Sequence, residues 1–229
     1  MASSSRGNCY LISDGSTPLL LECGLRVSEI RQGLGFGLTD VSACLLSHEH
    51  QDHSKAITDV LRAGIDIYTS PGTIEALGLE NHRLRPVRDK QLFEVGTWVV
   101  RAFETQHDAK EPLGFLLHSR ATGKRLVFAT DTYYVKYRFP GLTHIMVECN
   151  YATDILQANV DSGVIHPGMR HRIIRSHFSL DNVKEFLKAN DLSGVKEIWL
   201  LHLSDGNSDA ERFKREVMEL TGKPTFIAG

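Results

Sequence analysis

The stretch LLSHEHQDHSKAI, residues 45–57, sets His48, His50, Asp52 and His53 within six positions, just where an apolar run ends. A polar surface loop leading into a helix capped by Ser54 would account for it plainly. Yet in a chain of 229 residues with 11 His and 14 Asp, H-x-H-x-D-H arises by chance in about one or two of a thousand such sequences. Neutral imidazoles and a carboxylate are the ligands of a divalent cation such as zinc, with manganese or iron as alternatives. A metal site places a demand on the rest of the chain, because further ligands must come from other rigid strand ends.

The chain meets that demand. VVRAFETQHDA ends an apolar strand with His107, RLVFATDTYY ends another with Asp131, and EIWLLHLSDG ends a third with His202. Taken singly, a histidine after a strand is more often structural; the recurrence after a strong first motif points to a shared site.

Short apolar runs bounded by turn residues predict strands near 9–12, 19–21, 44–46, 65–68, 98–103, 114–117, 126–129, 145–147, 198–201 and 225–227. SDGST joins the first two as a hairpin turn. Helical patterns lie between. One starts at Ser54 with Ile57, Val60 and Leu61 on a face. One has Ser70 as cap and Pro71 at its first position. A third carries the stripe Leu180, Val183, Phe186 and Leu187. A fourth opens on a capping box of Ser208 with Glu211 and stops at Gly222 and Pro224. No linker or repeat divides the sequence, so residues 1–229 are expected to form one α/β domain of layered sheets with helices outside.

Composition narrows the class. Hydrophobic residues make up 41% and charged residues 24%, so the chain is not of the disordered kind. A net charge of −2 supplies no general attraction to nucleic acid or anionic membrane, and any polyanion site must be a local basic patch. The N-terminal residues have no apolar signal core and no stretch has the length of a membrane span, so a cytoplasmic location is expected. Cys9, Cys23, Cys44 and Cys149 are scattered singly in apolar runs, as reduced buried thiols are, and are not expected to bind zinc.

The ordered set His48, His50, Asp52, His53, His107, Asp131 and His202 resembles the ligand series of the metallo-β-lactamase superfamily, over essentially the whole chain. The resemblance implies a four-layer αββα sandwich with two divalent ions at one edge. His48, His50 and His107 would hold one ion, Asp52, His53 and His202 the other, and Asp131 would bridge. Two such ions share a water, lower its pKa and polarise the bond under attack. Asp52 would also orient the attacking hydroxide.

The superfamily acts on lactams, thioesters, lactones and phosphodiesters, so the fold does not choose the substrate. The absence of a cysteine ligand and of an export signal speaks against an antibiotic lactamase. RSHFSLDNVKEFL, with His177 beside Ser179, together with VECNYATDIL and LLHLSDGN, is similar to the YycJ/WalJ-type branch of small nucleases. Here Ser176 and Phe178 stand where Gly-His-Leu-Ser is usual, and Cys149 replaces a serine. The resemblance implies a place for His177 near the site; with all seven ligand positions filled by other residues, its imidazole is expected to stabilise the departing sugar oxygen, the alternative being a cap on the helix that starts near Ser179.

MRHRIIRS adds Arg170, Arg172 and Arg175 close to His177, a local basic cluster suited to phosphates. Asn150 joins them as a candidate substrate contact. Tyr133 and Tyr134 either stack on a base or wall the site. A second basic group, Arg83, Arg85, Arg88 and Lys90, has the alternation of an exposed edge strand. The expectation is a cytoplasmic dinuclear phosphodiesterase, most simply a DNA exonuclease. A glyoxalase-II-like or lactonase-like hydrolase of a small thioester or lactone is the alternative.

Overall fold

The structure, a computed structural model, describes residues 2–229. Its contacts divide the chain into two compact units. One comprises residues 2–104 and 109–124 with Gly229, the other residues 105–108 and 125–228.

The first unit begins with β1 (Ala2–Ser4), β2 (Gly7–Ser13) and β3 (Pro18–Leu21), paired antiparallel. Three parallel strands extend the same sheet in sequence order: β4 (Ala43–Leu45), β5 (Asp66–Thr69) and β6 (Leu84–Pro86). Parallel neighbours need crossovers, supplied by α1 (Val27–Gly33), by α2 (Gln51–Ser54) with α3 (Ile57–Arg62), and by α4 (Pro71–Leu77). Cys9, Leu20, Cys23, Ile30, Cys44, Val60 and Ile67 pack in the core between sheet and helices, and all four cysteines are buried free thiols as expected. An antiparallel meander follows: β7 (Leu92–Val95), β8 (Trp98–Glu104) and β9 (Leu113–Ser119).

Asp14 ties hairpin to meander. One carboxylate oxygen accepts the Ser16 and Thr17 amides at 3.0 and 2.9 Å, an Asx-type turn; the other accepts the Thr97 and Ser119 hydroxyls, both at 2.6 Å. Gly96 makes the approach possible: its φ is +54°, and a Cβ there would meet Thr17 Oγ1 at 2.3 Å.

The second unit is a parallel sheet of β10 (Arg125–Ala129), β11 (His144–Glu148), β12 (Glu197–Leu201) and β13 (Thr225–Ile227). Its helices are α5 (Thr153–Asp161), α6 (Pro167–Ser176), α7 (Leu180–Ala189) and α8 (Ala210–Thr221). Strands covered on both faces are nearly continuous in apolar residues, as LVFA and IMV are here. The Leu180, Val183, Phe186 and Leu187 stripe of α7 is buried as its spacing predicts.

Two predicted caps are displaced. Ser54 ends α2 rather than starting a helix, its hydroxyl donating to the Glu49 and His50 carbonyls. At α8 the cap is Asp209, which accepts the Arg212 amide at 2.9 Å, while Ser208 donates to the Ser204 carbonyl. Ser70 and Gly222 hold their predicted roles, Gly222 with a left-handed φ of +65°. The predicted edge strand is β6. Arg83, just before it, and Arg85, within it, both pair with Asp66, at 3.0 and 2.8 Å, which gives those cations a structural occupation. No helix among the described residues is long and apolar enough to cross a membrane.

Candidate metal centre

In the first unit the chain leaves β4 and runs Leu46-Ser47-His48. Glu22, one residue past the neighbouring strand β3, takes a left-handed φ of +65°, and both its carboxylate oxygens accept the Ser47 amide, at 3.2 and 3.3 Å. Ser47 Oγ in turn contacts His48 Nδ1 at 2.8 Å, which leaves Nε2 of His48 3.0 Å from Nδ1 of His50. His53 is fully buried; its Nε2 lies 3.2 Å from the Asn8 amide nitrogen and 3.5 Å from Asp52 Oδ2, and its Nδ1 is 3.5 Å from Glu22. Burial pushes the Glu22 carboxyl up, against the opposing pull of His53 and Ser47. Backbone bonds from Cys23 to the His53 carbonyl and from Ala56 to the Cys23 carbonyl, 2.8 and 2.9 Å, fasten the histidine turn to the strand end. Gly24 is required there, because a Cβ would sit 1.7 Å from the Asp52 carbonyl oxygen.

In the second unit the functional side chains gather at the carboxyl ends of β10, β11 and β12, where open parallel sheets place their ligands. Asp131 and His202 hold left-handed φ values of +42° and +53°. Such strain in residues with side chains persists where the surroundings enforce it, and it clusters at functional sites. The Asp131 carboxylate faces two imidazoles: Oδ2 is 3.5 Å from His107 Nε2, and Oδ1 is 3.7 Å from His202 Nε2. His107 Nδ1 donates to the Ser176 carbonyl at 2.8 Å, which places the proton on Nδ1 and turns the bare Nε2 towards Asp131. Burial lowers the His107 pKa despite the nearby charge of Asp131, favouring the neutral form a cation requires.

Glu148 lies in the stretch VECNYATDIL. It is fully buried at the end of β11. Oε2 accepts the Thr132 and Phe178 amides at 2.9 and 3.0 Å, and Oε1 accepts His177 Nδ1–H at 2.5 Å. Burial alone would pull the His177 imidazole down; the charge and hydrogen bond of Glu148, with Asp131 and Asp108 behind them, raise it from 6.5 to about 9. His177 does not cap α7, because Ser179 does so, accepting the Asn182 amide at 3.1 Å. Its ring stacks on His202 at 5.5 Å between centroids. Together Asp131, Glu148, His177 and His202 offer ligand atoms all within 4.8 Å of one another.

The donor chemistry fits divalent cations. The separations of 3.5 and 3.7 Å at Asp131, and 3.5 Å between His53 and Asp52, are long for hydrogen bonds. They match the ~3.3 Å between neighbouring ligand atoms of a tetrahedral cation bound at ~2.0–2.2 Å.

Asn150 is buried and its amide nitrogen donates to the His202 carbonyl at 2.8 Å and lies 3.1 Å from His202 Nδ1, so it steadies a histidine instead of facing solvent. MRHRIIRS lies within the helix α6. Arg172 and Arg175 of that helix line a cleft of about 630 Å³ together with His107, Asp108, Tyr133 and Ser176; Arg170 does not. Arg172 Nε pairs with Asp108 at 3.0 Å. Partial burial would raise the Asp108 carboxyl, but the Arg172 charge and the hydrogen bonds from Ser176 and Arg172 hold it below its ordinary value.

The chain belongs to the β-lactamase superfamily domain family, whose model matches residues 20–203. It has the metallo-β-lactamase hydrolase fold expected from the sequence, mixed α/β with two sheets and helices, a fold that implies divalent metal ions. Among its relatives, the exodeoxyribonuclease WalJ of Streptococcus pneumoniae is 27% identical, covering 92% of this chain and 82% of that protein. Exodeoxyribonuclease YycJ of Bacillus anthracis is 26% identical, covering 100% and 90%. Among solved structures, the metallo-β-lactamase fold protein YhfI of Bacillus subtilis superposes with a TM-score of 0.74 at 19% identity, covering 100% of this chain and 91% of that one.

Proposed function

We propose that the protein is a dinuclear metal-dependent phosphodiesterase that degrades DNA as an exonuclease. The observation that carries this reading is the Glu148–His177 pair, an imidazole held by a buried carboxylate beside Asp131 and His202, two donors suited to metal. A thioester or lactone hydrolase has less need of it, because a phosphodiester expels a strongly basic sugar oxygen. The names of the WalJ and YycJ relatives agree with DNA as substrate.

His48, His50 and His107 would hold one cation, Asp52, His53 and His202 the second, and Asp131 both, with zinc first and manganese or iron as alternatives. When bound, the cations supply Lewis acidity and a water of lowered pKa. Asp52, acceptor-only when ionised, orients the attacking water by taking its hydrogen bond. Glu148 fixes the proton of His177 on Nδ1 and stabilises the imidazolium, so that Nε2–H is available to the departing oxygen. A general acid placed in this way contributes ~10²–10⁴-fold. Asn150 keeps His202 in register, and Arg172 and Arg175 attract the phosphate backbone.

The test is a substrate panel with the metal-loaded protein: end-labelled single- and double-stranded DNA, RNA, and a thioester. DNA shortened from its ends supports the reading. Thioester hydrolysis with the DNA left intact overturns it.

A further inference from the structure

We propose that the cleft beside His107 is the subsite for one unpaired nucleotide of the substrate, with the base on the Tyr133 ring and its phosphate between Arg172 and Arg175. The inference rests on the phosphodiesterase reading and adds to it the form of DNA that the site accepts.

The cleft, about 630 Å³, falls within the ~300–1,000 Å³ of small-ligand sites, and its lining is divided in chemistry. Part of the lining is cationic. The helix α6, PGMRHRIIRS, carries three arginines and no carboxylate, and two of those arginines face the cleft. Arg175 has no ion-pair partner among the described residues. Arg172 has only Asp108, and that pair is open to solvent, 64% and 41% exposed. Exposed pairs contribute little, so a phosphate with its greater charge can draw the guanidinium from Asp108 and take its fork of donors.

The lining also holds an aromatic ring. Tyr133 is 38% exposed although its backbone is held at both ends: its N–H donates to the Gln106 carbonyl at 3.1 Å, and its carbonyl accepts Asn182 Nδ2–H at 3.0 Å. An exposed ring on an anchored backbone is a platform whose ordering cost is already met. It stands two residues past Asp131. The hydrogen bond from His107 to the Ser176 carbonyl, at the end of α6, fixes Arg175 next to the metal-ligand histidine. A nucleotide seated here therefore has its phosphate beside the reacting centre.

A base can lie on Tyr133 only when it is not stacked in a duplex. The cleft thus selects single strands and frayed ends, and since every base has a π-face, it does so without regard to sequence.

The test measures binding of a short, fluorescently labelled single-stranded oligonucleotide with phosphorothioate linkages to the metal-loaded protein, by anisotropy. Tyr133→Leu is expected to weaken binding about 10-fold and Tyr133→Phe by no more than about twofold. Arg175→Gln should flatten the salt dependence by about 0.7 in logarithmic slope, one phosphate contact. When the nucleotide at the bound end is abasic, Tyr133→Leu should have no further effect. Wild-type affinity in the leucine variant, or an equal loss with the abasic strand, overturns the inference, provided thermal melting shows the variant folded; Tyr133→Ser serves if it is not. Failure of the parent reading looks different: there the wild-type protein neither binds the oligonucleotide nor shortens DNA.

Discussion

Glu148→Gln separates the proton chemistry of the site from its shape. Glutamine is isosteric, so its carbonyl can accept the Thr132 and Phe178 amides that Oε2 now takes at 2.9 and 3.0 Å. Its NH2 then faces His177 Nδ1, where the carboxylate had accepted a proton at 2.5 Å. Two donors cannot meet there, and the imidazole must give up its Nδ1 proton or its position. Losing one hydrogen bond to a charged group costs ~1.5–3 kcal/mol of stability, measurable as a fall in urea midpoint at unchanged slope. The larger effect is on catalysis. Without an imidazolium the departing sugar oxygen leaves unprotonated, and kcat on DNA should fall ~10²–10⁴-fold. A nitrophenyl phosphodiester needs no proton for its leaving group and should lose less than about tenfold on the same scale. The assay is the ratio of the two kcat losses, with bound metal checked by elemental analysis. Equal losses on both substrates, with metal retained, would refute the assignment of the Glu148–His177 pair to the leaving group.

Other perturbations probe separate parts of the account. Asp52→Ala should remove most hydrolysis while circular dichroism and melting change little, because the side chain is partly solvent-exposed and the apolar sheets are untouched; a folded, metal-loaded variant with wild-type turnover would contradict its role. Asp14→Ala, remote from the chemistry, removes the acceptor of four hydrogen bonds and should cost ~1–3 kcal/mol near neutrality, given partial exposure. Those bonds outweigh desolvation and hold the Asp14 carboxyl below its ordinary value. Its stabilisation is therefore present above the unfolded pKa of ~3.9 and disappears on acidification below it. In urea titrations the gap between the two proteins should narrow progressively as the pH falls below about 4; a constant gap at every pH would dissociate the effect from the carboxylate.

The sequence was most legible where chemistry and strand pattern coincide. Each strand of the parallel sheet in the second unit was visible as an apolar run, and Asp131 and His202 were identified by standing one or two residues past such runs. Glu148 stands at the end of β11 in the same way, but a single carboxylate carries no spacing signal. Its partners, Thr132 and Phe178, lie 16 and 30 residues away and meet it only on folding. The place it shares with Asp131, at the end of adjacent β11, was the one available clue. The helix α6 was missed because its sole adjacent apolar pair, Ile173 and Ile174, makes no stripe, although His166 and Pro167 begin it with good capping chemistry. The caps at Ser54 and Ser208 were misplaced because serine bonds upstream carbonyls as readily as it caps, and the choice is made by neighbours distant in sequence.

The most direct measurement of the central claim is the cleavage rate of end-labelled single-stranded DNA as metal-free protein is titrated with manganese or zinc, bound metal being counted in the same samples. The account predicts that activity rises to a plateau at two ions per chain, and that His53→Ala stops short of both the second ion and the activity. Full activity at one ion, or DNA cleavage that persists in the metal-free protein, would contradict it.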